Sequence, residues 1–450
     1  MKKFTSAFMT PFRMIIFSYI VSMLIFSVLL WLPVSHNPGV ELGYLDSLFT
    51  SVSAVSVTGL TVINVPETLS YTGVFFLAMA MQVGGIGIMS LGTFVWMLLG
   101  RKINLSQRLL IMVDQNQYQF SGMVKLMRNI LLLALAIEAV GAFILGTYYI
   151  QYFDSIGQAY YQGAFGALTA FTNAGFDVTG QSLIPFADDY YVQLIVVLLI
   201  FAGAIGFPVL MEVREYLSSN NKDFRFSLFT KVTVTTYFLV FVIGVVGILL
   251  LEANVYYQGM AWHQQVSSAI FHSASSRSAG LSTMDVSAYS LPTLLFVSSL
   301  MIIGASPSSV GGGLRTTTLA VMFLTIRSFA LGKEEVKVFG RQVHPEDKQK
   351  AFIVLSFFLV GVFAAVLCIS ALEQNNTNVE LIDIIFEVSS AFGTCGLTTG
   401  ITDDLSRPSQ LVLMLLMFVG RVGILAFLLS VKRKETKSYY KYPTERMIIG

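Results

Sequence analysis

The chain has 450 residues, room for about three average soluble domains, but 55% of them are hydrophobic, only 12% are charged, and the mean hydropathy is +0.71. A soluble interior cannot hide that much apolar surface, so the composition excludes water-soluble domains and points to a polytopic membrane protein. Against 26 Asp and Glu there are 28 Lys and Arg, a net charge of +2 that gives no footing to nucleic acid, and the two cysteines (Cys368 and Cys395) and four scattered histidines suit neither a disulfide framework nor a metal cluster.

A bilayer core about 30 Å thick needs about 20 apolar residues per helix. In chain order, residues 14–40, 68–100, 190–211, 232–251, 286–314 and 351–372 carry no charge, while 129–153 carries only Glu138 and 408–431 only Arg421. That predicts eight spans. The first follows Met1-Lys2-Lys3, yet its apolar run is longer than a signal-peptide core, so it reads as a retained helix. Basic residues crowd one set of connections, whereas the opposite set holds only Arg277 and Arg407 among many carboxylates. The expected topology therefore has both termini cytoplasmic in the plasma membrane, with an acidic outer face.

The four outer segments are too apolar for plain loops and too short to cross twice. They also match one another. LDSLFTSVSAVSVTGL (45–60), YQGAFGALTAFTNAGF (161–176), VSSAIFHSASSRSAGL (266–281) and IDIIFEVSSAFGTCGL (382–397) each close on a glycine followed by Leu or Phe. The closing glycines are Gly59, Gly175, Gly280 and Gly396. Each unit reads as span, short re-entrant helix, glycine turn, span. Irregular backbone at membrane depth survives only where protein buries it or a water path meets it, so four such turns suggest a ring around one axis. A second set of glycines, Gly84, Gly203, Gly304 and Gly420, lies within the second span of each unit, where small residues permit close helix packing. The expected fold is an all-α polytopic membrane protein of four membrane–pore-helix–membrane repeats around a pseudo-fourfold pore. Repeat boundaries fall at 11–102, 123–217, 228–331 and 350–432, with cytoplasmic ends at 1–10 and 433–450.

Glycine allows dihedrals that turn successive carbonyls toward one axis, and a ring of carbonyls can replace the hydration shell of a monovalent cation. Re-entrant helices aim their negative dipole ends at the same place, and an acidic mouth enriches cations. The turns contain no carboxylate, which disfavours a Ca²⁺-type ring and suits K⁺ while leaving Na⁺ open. The ion-binding residues are then Val57, Thr58 and Gly59, Asn173, Ala174 and Gly175, Ser278, Ala279 and Gly280, and Thr394, Cys395 and Gly396. Arg421 is the one cation deep in a span; it either faces the cavity below the turns or pairs with an acid such as Glu138. Residues 286–326 carry only Arg315 as a charge and are too long for one straight helix. Pro307 and the glycines Gly311, Gly312 and Gly313 break this span, and its serines are polar at membrane depth. Arg277, inside the third turn motif, is positioned to tie down the turn from behind.

The motifs SVTGL, TNAGF, RSAGL and TCGL, in order within four repeats, resemble the Ktr/Trk/HKT superfamily of potassium transporters over residues 11–431. The chain opens directly on the first repeat, without the extra N-terminal helices of Trk subunits, and is most similar to the bacterial Ktr membrane subunits. The resemblance implies a homodimer with one pore per protomer, controlled by a cytosolic ring of nucleotide-binding RCK-type subunits. It implies that a Gly in the first turn, here Gly59, accompanies K⁺ preference, whereas Ser there accompanies Na⁺ transport in some plant members. It further implies that Arg421 and an intramembrane loop holding Gly304, Ser306, Ser308, Ser309 and Gly311 to Gly313 form the gate. No cofactor beyond K⁺, or Na⁺, is expected on this chain; the nucleotide belongs to the partner. The turns depart from TVGYG, so selectivity should be looser than in a tetrameric K⁺ channel.

Two other functions compete. A Na⁺-coupled or Na⁺-permeable secondary transporter is the first, although such folds favour inverted repeats and these run parallel. An intramembrane enzyme is the second, but HExxH, GxSxG and paired intramembrane aspartates are missing from the sequence.

Overall fold

The computed structural model describes residues 10–88, 123–218 and 224–431, with the isolated positions 92, 440, 443, 445 and 447. Most of the expected cytoplasmic ends and the 89–122 connection, apart from residue 92, lie outside the described residues.

Each repeat opens on a long apolar helix: α1 (Pro11–Trp31), α4 (Met123–Tyr149), α8 (Leu228–Glu252) and α12 (Pro345–Leu372). Proline in the first turn, with Thr10 accepting from the Arg13 N–H, starts α1; Ser227 accepts from the Thr230 N–H to start α8. These four helices are long and apolar enough to cross a bilayer, with mean hydropathies between 2.3 and 3.0. They leave apolar side chains such as Phe17, Phe143, Leu239 and Val360 exposed, as a helix against lipid does. The first expected span, 14–40, is shorter than its charge-free run, because the Pro33–Ser35 turn follows Trp31 and ends the helix.

Short helices come next: α2 (Tyr44–Ser56), α5 (Ile156–Thr172), α9 (Trp262–Ser275) and α13 (Leu381–Gly393). Unlike the long helices they are buried on nearly every side toward their C-terminal ends. In α2 the buried set runs without a break from Phe49 to Ser56, serines and threonine included. Serine hydroxyls return to nearby carbonyls or, for Ser51, to the Met23 carbonyl of α1 at 2.6 Å, so the polar groups cost little at this depth.

The second helices are α3 (Tyr71–Ile86), α6 (Tyr190–Ala204), α10 (Leu291–Ile302) and α14 (Arg407–Val422). Here the structure departs from the straight spans expected at 190–211 and 408–431. A bend of 104° separates α6 from α7 (Phe207–Ser218), and one of 94° separates α14 from α15 (Ile424–Val431). Gly206 (φ +101°) ahead of Pro208, and Gly423 (φ +87°), supply the breaks, and Gly87 (φ +96°) ends α3 in the same manner. The break expected in the third repeat is present as residues 303–315, between α10 and α11 (Thr316–Ala330). A two-stranded hairpin, β1 (Lys337–Val338) with β2 (Arg341–Gln342), links α11 to α12.

Each short helix packs on the second helix of the preceding repeat. α5 lies against α3, α9 against α6, α13 against α10, and α2 returns to α14. The order closes on itself.

Candidate ion pathway

The four short helices end in the same unusual backbone. Two residues before each closing glycine, Val57, Asn173, Ser278 and Thr394 adopt φ of +58°, +53°, +101° and +49°. Each glycine is again at positive φ, while Thr58, Ala174, Ala279 and Cys395 between them are not. Alternating the sign of φ turns successive peptide planes the same way, so neighbouring carbonyls share a direction instead of alternating as in a strand. For β-branched Val57 and Thr394 this costs roughly 1–3 kcal/mol each, a strain that persists only where surroundings impose it.

Those surroundings are the other turns. A Cβ on Gly59 would stand 2.6 Å from the Ala174 carbonyl oxygen, and one on Gly175 would stand 3.1 Å from that of Ala279. A Cβ on Gly280 would run into the Cys395 oxygen, and one on Gly396 into the Thr58 oxygen. All four sequence-derived turns therefore meet in a closed cycle, each glycine against the carbonyl of the residue before the next glycine. Ser53 and Ser390 hydroxyls accept from the Gly59 and Gly396 N–H groups at 3.0 Å, fixing the first and fourth turns from behind. The third turn is held differently. α9 runs to Ser275, with Ser276 still helical, and buried Arg277 donates to the Tyr237 carbonyl (2.8 Å) and the Gly304 carbonyl (2.9 Å), its guanidinium 4.2 Å from the Tyr237 ring centroid. Ser278 donates to the Thr394 carbonyl at 2.9 Å, one departure from fourfold equivalence.

Directly beneath lies the 303–315 segment. Its Gly312 N–H donates to Thr394 Oγ1 at 2.8 Å, and its Gly313 N–H to the Gly420 carbonyl at 3.3 Å. The Ser306 and Val310 N–H groups take the Ala204 and Gly203 carbonyls, and Phe207 N–H donates to the Ser308 carbonyl. The loop thus uses backbone groups that the bend between α6 and α7 frees. Ser309 turns inward, donating to the Ser306 carbonyl at 2.6 Å. Gly304 packs on Gly312 so closely that a side chain there would strike its carbonyl.

Arg421 reaches across this level. Its Nη1 donates to the Val310 and Gly311 carbonyls of the loop, and its Nη2 to the Gly84 and Gly85 carbonyls of the first repeat. Glu138 is elsewhere, accepting a hydrogen bond from Gln82, so Arg421 is held by backbone carbonyls and not by that acid. Arg315 was left without a role by the sequence, although it is the one charge in the broken span. It donates to the Ser306 and Gly311 carbonyls and braces the loop together with Arg421, whose Nη1 also reaches the Gly311 carbonyl.

At the starts of two second helices, carboxylates act as anchors. Glu252 accepts from the N–H and hydroxyl of Ser290 at the start of α10, and Glu373 accepts from Ser406 and Ser409 at the start of α14. Burial pushes the Glu373 carboxyl up, but these hydrogen bonds outweigh it and hold the group below the usual carboxylate range. Asp46 and Arg407 form an ion pair joining the fourth repeat to the first.

A family model described as TrkH, cation transport protein, matches residues 1–442. The chain belongs to this family. It is 49% identical over 442 residues to the Ktr system potassium uptake protein D of Bacillus subtilis, covering 98% of both chains. It is 32% identical over 461 residues to the potassium/sodium uptake protein NtpJ of Enterococcus hirae, covering 100% of this chain and 99% of that one. Among solved structures, the potassium transporter TrkH from Vibrio parahaemolyticus superposes with a TM-score of 0.72 over 94% of this chain and 85% of its own, at 17% identity. That likeness extends the TrkH relationship to the helical membrane fold.

Proposed function

We propose that this chain is a potassium uptake protein of the plasma membrane. K⁺ loses its water in a filter made by the four glycine turns and then meets a gate formed by the 303–315 loop and Arg421. The closed cycle of glycines against the Thr58, Ala174, Ala279 and Cys395 carbonyls, with no carboxylate in any turn, supports the proposal, in which backbone oxygens of the four turns surround the ion. In this reading the chain makes eight spans in four repeats, with α10 and α11 as the two halves of a broken one and both termini cytoplasmic. The acidic outer face concentrates cations, and the C-terminal ends of the four short helices add negative potential at the filter. Arg421, bonded to both the loop and the first repeat, closes the path beneath by a positive charge and by bridging its walls.

No cofactor beyond the transported ion is required. The name of the Bacillus relative, a component of a Ktr system, supports a multi-subunit assembly, here a homodimer on a cytosolic RCK-type ring that reads a nucleotide. A Na⁺-permeable or Na⁺-coupled transporter is the second reading, favoured by the potassium/sodium name of the Enterococcus relative. Uptake in cells lacking other K⁺ transport separates them: growth at low K⁺ that added Na⁺ neither replaces nor is needed for supports the first. Equal uptake of both ions supports the second.

A further inference from the structure

All four repeats place an oxygen-bearing side chain two residues after the closing glycine. Thr61, Asp177, Ser282 and Thr398 each accept from the N–H two residues further on, of Ile63 (3.1 Å), Thr179 (3.2 Å), Met284 (3.2 Å) and Gly400 (2.9 Å), so each chain leaves its turn through the same small loop. In two repeats only, the short helix behind adds a titratable side chain to that oxygen. Glu387 of α13, 1% exposed, accepts from the Thr398 hydroxyl and, at 3.2 Å, from the Thr402 hydroxyl. His272 of α9, also 1% exposed, has its Nε2 at 3.1 Å from the Ser282 hydroxyl, while its Nδ1–H donates to the Ser268 carbonyl at 2.9 Å. The first and second repeats have Ser51 and Ala167, or Thr50 and Gly166, at the corresponding positions.

A carboxyl group and an imidazole withdrawn from water at this depth are costly unless their hydrogen bonds serve a purpose. Ordinary helix packing would be met by an apolar residue. Both contact the same point of the repeat, the exit of the turn, and the turns they stand behind begin, as all four do, on a residue at positive φ, here Ser278 or Thr394. We propose that Glu387 and His272 are positioning residues that pin the outer ends of the third and fourth turns, and so keep the carbonyl ring from contracting around Na⁺. This rests on the filter reading above. Neither residue touches the ion; each acts through a hydroxyl on the segment that leaves the turn.

The test is the ratio of K⁺ to Na⁺ uptake per unit of membrane-inserted protein, measured with the full chain in cells lacking other K⁺ uptake. Glu387→Ala and Thr398→Val are each expected to lower the ratio about threefold to tenfold, as loss of one or two hydrogen bonds allows. The double variant should fall by less than the product of the two single effects, because the Glu387–Thr398 bond is common to both, while Glu387→Ala also loses the Thr402 bond and Thr398→Val the Gly400 one. Glu387→Gln, whose amide oxygen still accepts from both hydroxyls, should restore the ratio to within about twofold of the parent, and His272→Ala should lower it by about threefold. Gly59→Ser is measured alongside. If Gly59→Ser shifts the ratio while Glu387→Ala and His272→Ala change only the amount of protein, the pinning proposal is overturned and the filter reading stands. A Glu387→Gln ratio as low as that of Glu387→Ala also overturns it, since charge and not the brace would then matter. If none of these variants, Gly59→Ser included, moves the ratio, the filter reading itself fails. Should Glu387→Ala not insert, Thr398→Val and Glu387→Gln decide the same question.

Discussion

At the ring of turns, the four repeats contribute nearly the same thing: a residue at positive φ, one at negative φ, and a glycine whose hydrogen atom faces the next repeat's carbonyl. One level lower they contribute four different things. The first offers the Gly84 and Gly85 carbonyls, the second a bend at Gly206, the third the unwound 303–315 loop, and the fourth Arg421. The upper level is backbone that gene duplication can copy. The lower level rests on one guanidinium and one interrupted helix, and needs the repeats to have diverged. In the proposed function, this division lets rate be tuned below without disturbing selection above.

The comparison can be broken most forcefully at Arg421. At an effective dielectric of about 20, a unit charge about 5 Å from the ion contributes roughly 3 kcal/mol, so Arg421→Ala should raise unit K⁺ flux on the order of 100-fold and weaken control by a cytosolic regulator. Tracer flux per reconstituted protein checks this; unchanged unit flux with lost yield would make Arg421 only a clasp between the loop and the first repeat.

Gly396→Ala attacks the upper level. Its Cβ would meet the Thr58 carbonyl oxygen at a positive-φ position, so about 2 kcal/mol of stability should be lost, seen as a lower melting temperature of the purified protein. Gly361→Ala in α12, where a Cβ meets nothing, is the control and should leave the melting temperature in place.

Deleting residues 311–313 should raise basal flux about tenfold, equivalent to ~1.4 kcal/mol of barrier, because Arg421 keeps its first-repeat partners while losing part of the loop. Lower flux from a correctly inserted deletion would make the loop a support. The smallest effect belongs to the rim. Asp46→Asn breaks the half-exposed pair with Arg407 and should cost under about 1 kcal/mol, less at high salt, by thermal unfolding in detergent.

The upper level was legible in the sequence, and the lower one only in part. Four glycines closing four matching segments are visible without coordinates, because a positive-φ position that also touches a neighbouring backbone admits little else. Arg421 was legible as a lone charge in an apolar run. Gly206 and Gly423 were not legible as breaks, since a single glycine in a span reads equally well as a packing residue; only their dihedrals separate the two. Arg315 carried the same signal as Arg421 but sits at the end of the break, where a charge reads equally well as a loop residue, and the partners of both are carbonyls, which leave no trace in a sequence. The exit loops held by Thr61, Asp177, Ser282 and Thr398 went unseen because Thr, Asp and Ser are ordinary residues there and only their shared offset from the glycine unites them.

The proposed division between selection above and rate below is tested most directly by measuring K⁺ and Na⁺ uptake together, in the same cells, for Gly59→Ser and Arg421→Ala. The account expects Gly59→Ser to lower the K⁺ to Na⁺ ratio, and Arg421→Ala to raise both fluxes with the ratio unchanged. A ratio that moves with Arg421→Ala and stays fixed with Gly59→Ser would contradict it.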